Sequence, residues 1–451
     1  MNPWLARNVI YHPALTFRGE QVKTIINEVR AFHGLDSDGI KEYQWQKLKN
    51  LLHHVYEQNP YYRALFEQKS LHPEDITSAE TFRQIPFLTK RIIQTCNDDL
   101  LSRDSLRTSP RRTSGSTGMP IRFVKDRRAT AYMNALMHEV YNWHGIEIGD
   151  RQARIWGRPL DFRRRLTAQL KDFVLNRRKL VSFDISEKTC RHFFYELKHF
   201  QPKYLYGLPC SIVEFTQTLQ KINLEPTEMG LEIILCTGET LSPEKKKFLQ
   251  DAYQCPVLNE YGATECGIIA FPCRHDQLHL MSHNLYIEII NPETGHPAKP
   301  GETGEIVLTE LNGYAMPFIR YRLGDIALVD NSRCSCGLEL PLIAEIQGRT
   351  GEIILTLENK KVAMAILDRV LEKYVLRFRV YQRALDRLEV IIENYPGFCR
   401  QHTEEIKALW RPYLGEEMKV DFKIVEHILP DRSGKLTSFI SDIRPVPVES
   451  K

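Results

Sequence analysis

Two rhythms alternate in the middle of the chain. "PKYLYG" (202–207) and "LEIILCTG" (231–238) are short apolar runs of buried-strand character. "SIVEFTQTLQKI" and "SPEKKKFLQDAY" carry their apolar residues at helical spacing. Strand and helix in turn mean layered α/β structure, because each element must bury its apolar face against another kind. That narrows the fold more than any other feature of the sequence.

The flanks read differently. "EYQWQKLKNLLHHVYEQNPYYRALFEQ" is helical and is followed by the breakers of "LHPEDITSAETFRQIPFLTK". "LYIEIINPETGHPAKPGETGEIVLTEL" holds strand patterns parted by Gly and Pro turns, which predicts a β-rich subdomain over about 268–345. Beyond "GRTGEIILTLENKKV" the order strand, helix, strand, strand, helix, strand fits a small α+β domain. A chain of 451 residues exceeds what one core usually accommodates. The expectation is an N-terminal domain at 1–348, containing the β-rich part, and a C-terminal domain at 349–451.

Composition excludes some classes. The apolar runs fall far short of the roughly 20 residues a membrane span needs. "MNPWLARNVIYHPALTFRGE" has no signal-peptide pattern and reads as mature protein, which predicts a cytoplasmic location. Ten scattered cysteines do not suit a secreted disulfide framework, so clustered ones suggest metal. A net charge of +4 is mild, and no nucleic-acid partner is expected.

The basic residues are nevertheless grouped. Arg103, Arg107, Arg111, Arg112, Arg122, Lys125, Arg127 and Arg128 surround "RTSGSTGMPIRF" (112–123). A second group lies on "DFRRRLTAQLKDFVLNRRKL" (161–180), where Phe162, Leu166, Leu170, Phe173 and Val174 fall at helical spacing. This predicts a basic amphipathic helix, either docked on the core with a solvated face or lying at an anionic membrane.

The small residues of "RTSGSTGMPIRF" let backbone N–H groups converge, and Thr113, Ser114, Ser116 and Thr117 add hydroxyls, so the loop suits a polyanion. It is not a Walker loop, since no Gly-Lys-Ser/Thr follows. With "NEYGATECG" (259–267), "FIRYRLGDIA" (318–327), "GRTGEI" (348–353) and "LPDRSGKLTSFI" (429–440), it resembles the adenylate-forming enzyme superfamily, the motifs standing in that family's order. "LLHHVYEQNPYYRALFEQ" followed by "IPFLTK" is similar to the phenylacetate-CoA ligase-like branch, including its capsular polysaccharide and coenzyme F390 synthetase members.

The resemblance implies an α/β multidomain fold: a large N-terminal domain with a β-rich subdomain, and a small mobile C-terminal α+β domain. It also implies roles. Thr113, Ser114, Gly115, Ser116, Thr117 and Gly118 would cradle the β- and γ-phosphates of ATP, with Met119 where a lysine is usual. Thr237, Gly238 and Glu239 would line the adenine pocket, and Tyr261, beside Gly262, would stack on the base. Thr264 would contact the α-phosphate and Glu265 would hold Mg²⁺. Asp325 would accept hydrogen bonds from the ribose hydroxyls, Arg349 would lie near the ribose, and Gly351 stands near the usual acidic hinge position. Lys435 would be the catalytic lysine, reaching the α-phosphate and the substrate carboxylate. Tyr132, Met137, Tyr141, Trp143 and Tyr206 could line the acid pocket or be ordinary core.

Cys273 and His279 in "CRHDQLH", with Cys334 and Cys336 in "CSCG", supply four zinc-type ligands in two local pairs, with His275 as rival to His279. Some members of the family place a zinc between such pairs, which implies a structural ion.

The expected function is ATP-dependent activation of a carboxylic acid as acyl-adenylate with pyrophosphate release, then acyl transfer to coenzyme A. The alternatives are amide formation, transfer of AMP to a hydroxyl, and a nucleotide-binding or assembly protein without turnover.

Overall fold

The computed structural model describes residues 1–443 except 105–106, 114–119, 158–161, 293, 351, 359 and 432–433. Ser114, Gly115, Ser116, Thr117 and Gly118, expected to cradle phosphates, and Gly351, near the expected hinge position, therefore lie outside the described residues. The chain sorts into two compact units. One comprises 1–150, 174–176 and 260–346, the other 151–173, 177–259 and 347 onward.

The first unit packs helices on antiparallel strands. Helix Ser37–Gln58 begins where Asp36 accepts from the Gly39 N–H, and it stops at Asn59. The Asn59 side chain then caps the next helix, Pro60–Gln68, whose opening proline cannot continue the previous one. Leu48, Leu51, Leu52 and Val55 form one buried stripe at helical spacing and share a core with Ile306, Leu308, Phe318 and Tyr321. Full burial of each such side chain contributes about 2 kcal/mol.

Strands Leu285–Ile290, Thr303–Glu310 and Tyr321–Asp330 follow one another in antiparallel pairing. Gly267–Pro272 pairs on one side with the end of Val257–Ala263 and on the other with Leu278–Leu280, against which Leu342–Arg349 begins.

The second unit opens with four parallel strands in the order Ile233–Thr237, Tyr204–Gly207, Gln152–Ile155, Arg177–Leu180. One face carries Ala153, Ile155, Leu205, Ile234 and Cys236, in one core with residues of helices Glu187–Phe200, Pro209–Lys221 and Pro243–Tyr253. Later in the unit, Phe378–Ala384 sits between Arg387–Glu393 and Phe439–Ser441, and Lys419–Val425 pairs on the outer edge of Arg387–Glu393. Helices Met364–Glu372 and Arg400–Leu414 complete that core. Buried ion pairs tie this segment to the helices of the parallel layer: Arg377 to Glu214 at 2.8 Å and Lys245 to Glu372 at 2.9 Å.

The structure corrects the basic helix expected over 161–180. Helix Phe162–Val174 ends early because Asn176 takes a left-handed conformation at φ +53°, and Arg177–Leu180 becomes a parallel strand. Asp172 pairs with Arg177 across the turn. No described helix is long and apolar enough to cross a membrane.

Candidate active site and metal centre

In the first unit, strand Val257–Ala263 delivers Tyr261 and Gly262 and runs into the tight turn that holds Thr264 and Glu265. A Cβ on Gly262 would stand 2.6 Å from the Gly267 carbonyl oxygen, so the hairpin closes only with glycine there. The Tyr261 hydroxyl donates to Asp325 Oδ2 at 2.7 Å, and the Tyr321 hydroxyl donates to Glu265 Oε1 at 3.0 Å. Asp325 and Glu265 are both buried, whereas Thr264 is exposed. Burial, reinforced by the Glu265 charge, pushes the Tyr321 hydroxyl far above its ordinary pKa, so it stays a proton donor.

The glycine-rich loop is carried by the hairpin of Ser109–Arg112 and Arg122–Lys125. Thr113 closes its neck: its N–H donates to Ile121 O at 3.1 Å and its Oγ1 accepts from Ile121 N at 3.0 Å. Lys125, read from the sequence as part of a basic surround, points inward instead. It forms a fully buried ion pair with Glu310 beneath the rings of Phe123 and Phe318.

In the second unit, strand Ile233–Thr237 ends in Thr237, Gly238 and Glu239. A Cβ on Gly238 would lie 3.6 Å from Lys435 Nζ, so the two motifs meet although they are far apart in the chain. Glu239 joins them: Oε1 accepts from Leu436 N at 2.7 Å and Oε2 from Cys210 N at 3.1 Å, at the start of helix Pro209–Lys221. The Lys435 loop also closes on itself. Asp431 N donates to Lys435 O, Thr437 Oγ1 donates to Asp431 Oδ2, and Gly434 at φ +90° makes the bend.

Sequence reasoning missed Asp431 and the clamping part of Glu239. An aspartate three residues before a glycine in a "PDRSGK" stretch was the available signal for the first. Arg349 ends strand Leu342–Arg349, and its carbonyl accepts from Glu352 N at 3.0 Å.

Cys273, His279, Cys334 and Cys336 bring one ligand atom each to within 4.8 Å of one another. Cys273 Sγ lies 3.5 Å from Cys334 Sγ, and Cys336 Sγ lies 3.3 Å from His279 Nε2. His279 Nδ1 donates to Leu340 O at 3.2 Å, which leaves the Nε2 lone pair facing the thiols. His275 turns away, its Nδ1 meeting Ser335 Oγ at 3.3 Å. Three thiols and an imidazole, with no fifth His, Cys or carboxylate donor in the group among the described residues, suit a tetrahedral structural zinc.

Of the aromatic residues considered for an acid pocket, Tyr132 donates to Glu28 and Tyr141 to Glu260 at 2.5 Å. Trp143 packs on Phe271 and His279. Tyr132 and Tyr141 are buried and Trp143 is half-buried. Tyr206 alone among them lies in the second unit, beside Trp156 and Arg154.

Residues 112–313 match the family of AMP-binding enzymes and residues 354–442 the CapK C-terminal domain. Among curated relatives, the phenylacetate-coenzyme A ligase of Thermus thermophilus is 23% identical over 82% of this chain and 85% of its own length. Protein CapK of Staphylococcus aureus is 21% identical over 89% of each chain. Among solved structures, a 2-hydroxyisobutyryl-CoA ligase in the postadenylation state aligns over 91% of each chain with a TM-score of 0.74 at 18% identity.

Proposed function

We propose, for a chain that belongs to the adenylate-forming superfamily in its phenylacetate-CoA ligase-like branch with CapK, that it activates a carboxylic acid with ATP and passes the acyl group to coenzyme A. The meeting of Lys435 with Gly238 and Glu239 carries this reading, because it sets a cation from the C-terminal motif at the end of a parallel strand.

One oxygen of the acid attacks the α-phosphorus, the bond to pyrophosphate breaks, and an acyl-adenylate forms. Lys435 offsets charge developing at the reacting phosphate, so its contribution is electrostatic and positional. Asp325 accepts from the ribose hydroxyls, exchanging its bond with Tyr261 for the ligand's, while the Tyr261 ring stacks on the base and Thr264 contacts the α-phosphate. Thr237, Gly238 and Glu239 border the adenine, and Arg349 the ribose. Thr113 and the loop from Ser114 to Gly118 hold the outer phosphates.

The buried carboxylate of Glu265, oriented by the Tyr321 hydroxyl, fits a hard cation. Mg²⁺ bound there would neutralise phosphate charge. The four-ligand cluster would hold zinc as a staple between the turn that carries Cys273 and the loop that carries Cys334 and Cys336. ATP and coenzyme A as substrates favour a cytoplasmic enzyme.

A weak membrane contact belongs to the same proposal. In helix Phe162–Val174, Leu170 and Phe173 are exposed beside Lys171, the composition of an interfacial helix. The protein is expected to sediment with anionic vesicles at low salt and to be released as salt rises; binding indifferent to salt would remove this part.

The main test is pyrophosphate release from ATP and Mg²⁺ with a panel of carboxylic acids, with and without coenzyme A. Acid-dependent release, with thioester formed when coenzyme A is present, is expected. ATP binding with no release for any acid would leave a nucleotide-binding protein without turnover.

A further inference from the structure

We infer that the acid activated here carries a second negative charge, held by Arg154 and Lys179 at the carboxyl ends of the parallel strands; this rests on the activation reading above. The strand register places the two cations side by side. Arg154 pairs with Lys179 on one side and with Tyr206 on the other. Gln152, Arg177 and Tyr204 form the row before it. Side chains in register on neighbouring strands share a face, and this face is opposite the apolar one of Ala153, Ile155 and Leu205.

Arg177 is neutralised by Asp172. Among the described residues, no carboxylate lies within ion-pair distance of Arg154 or Lys179. The Arg154 guanidinium lies 4.7 Å from the centre of the Tyr206 ring and 5.3 Å from that of Trp156, and its Nε is buried without a hydrogen-bond partner. Lys179 Nζ lies 3.4 Å from where a Cβ on Gly157 would stand. Burial first, then the neighbouring Arg154 and Arg177, hold the Lys179 ammonium below the usual lysine range despite Asp172. Two adjacent half-buried cations repel each other and lose hydration. An anion bridging them reverses both costs.

The place fits a substrate. Ligands of open parallel sheets bind beyond the carboxyl ends of the strands. The Lys435 loop stands at those ends too: a Cβ on Gly434 would lie 3.3 Å from Phe183 and 3.9 Å from both Ser182 and Leu208, residues just past two of the strands. Ser182 is 3% exposed, and its hydroxyl has no partner among the described residues. An acid with its reacting carboxylate at Lys435 would thus meet a buried hydroxyl and then the Arg154–Lys179 row. The rings of Trp156 and Tyr206, 5.7 Å apart, would cover its carbon skeleton. The second charge is a carboxylate, phosphate or sulfonate group.

The experiment measures pyrophosphate release with matched acids: a monocarboxylate against the same skeleton ending in a second carboxylate, a phosphate or a sulfonate. The wild type is expected to favour a doubly charged member by about tenfold or more in kcat/KM, and the preferred ending identifies the group. Arg154→Gln and Lys179→Gln should each reduce the ratio of doubly to singly charged kcat/KM by about tenfold, while Lys179→Arg retains most of it. Equal use of both acids by the wild type overturns the inference. So do variants that depress both acids alike, and variants that raise only the KM for coenzyme A. Release with monocarboxylates alone sinks the inference and spares the activation reading; no release with any acid removes both.

Discussion

In the antiparallel unit, Tyr261 is bonded to Asp325 and Tyr321 to Glu265, side chain to side chain; Tyr261, Asp325 and Tyr321 stand on strands and Glu265 in the turn between two strands. In the parallel unit, Lys435 sits on a loop whose shape depends on the Asp431 and Glu239 carboxylates accepting from backbone and hydroxyl groups. In the first arrangement three of the four side chains are fixed on paired strands. The second rests on a few half-buried hydrogen bonds, each with a net worth of about 1 kcal/mol. The proposed function asks for both kinds of support: strand-borne side chains for the nucleotide, and a loop-borne lysine for the reacting phosphate.

The largest expected effect comes from Lys435→Ala, which should lower pyrophosphate release by on the order of 10²-fold or more with little change in ATP affinity. A wild-type adenylation rate in that variant would show that the loop lysine has no part in the chemistry. Next is Asp325→Ala. With Asp325 binding the ribose as proposed, in ground and transition states alike, the KM for ATP should rise by about tenfold or more with kcat less affected. A fall in kcat at constant KM would erase the contrast drawn between the two supports.

Cys334→Ser with Cys336→Ser probes the antiparallel unit from its edge. Metal analysis should fall from about one zinc per chain to none, and thermal unfolding of that unit should drop by about 5 °C or more. A metal-free wild type of unchanged stability would mean four ordinary residues. The smallest effect is expected from Glu239→Gln, which keeps one carbonyl acceptor but loses the charge shared by Leu436 N and Cys210 N. A decrease of about threefold to tenfold in adenylation rate should be seen, with ATP affinity retained.

Much of this was legible in the sequence, for identifiable reasons. The motifs that hold Gly238, Lys435, Tyr261 and Asp325 stood out in the sequence, and the structure brings Gly238 to Lys435 and Tyr261 to Asp325; the alternation of "PKYLYG" and "LEIILCTG" with helical stretches announced the parallel layer. The four Cys and His ligands were legible through the family resemblance more than through their spacing, which is looser than that of a C-x-x-C pair, and the structure brings them together. Other features were hidden.

Arg177, Arg178 and Lys179 continue the helical pattern of 162–174 so well that only the left-handed Asn176 reveals the strand. Tertiary pairing overrode local periodicity there. Lys125 reads as surface charge until its ion pair with Glu310, 185 residues away, is seen. The Glu239 clamp likewise spans 197 residues to Leu436, a distance no local pattern encodes.

Gly262 has a consequence at the level of the gene. Its absent side chain is the space occupied by the Gly267 carbonyl oxygen, and no rotamer or neighbouring side chain can relieve a clash with backbone. Every glycine codon shares its first two bases, so any change in either of them at codon 262 removes the glycine, either ending the chain or placing a side chain that forces apart the hairpin that carries Tyr261 and Glu265. Only the third base of that codon is free to drift.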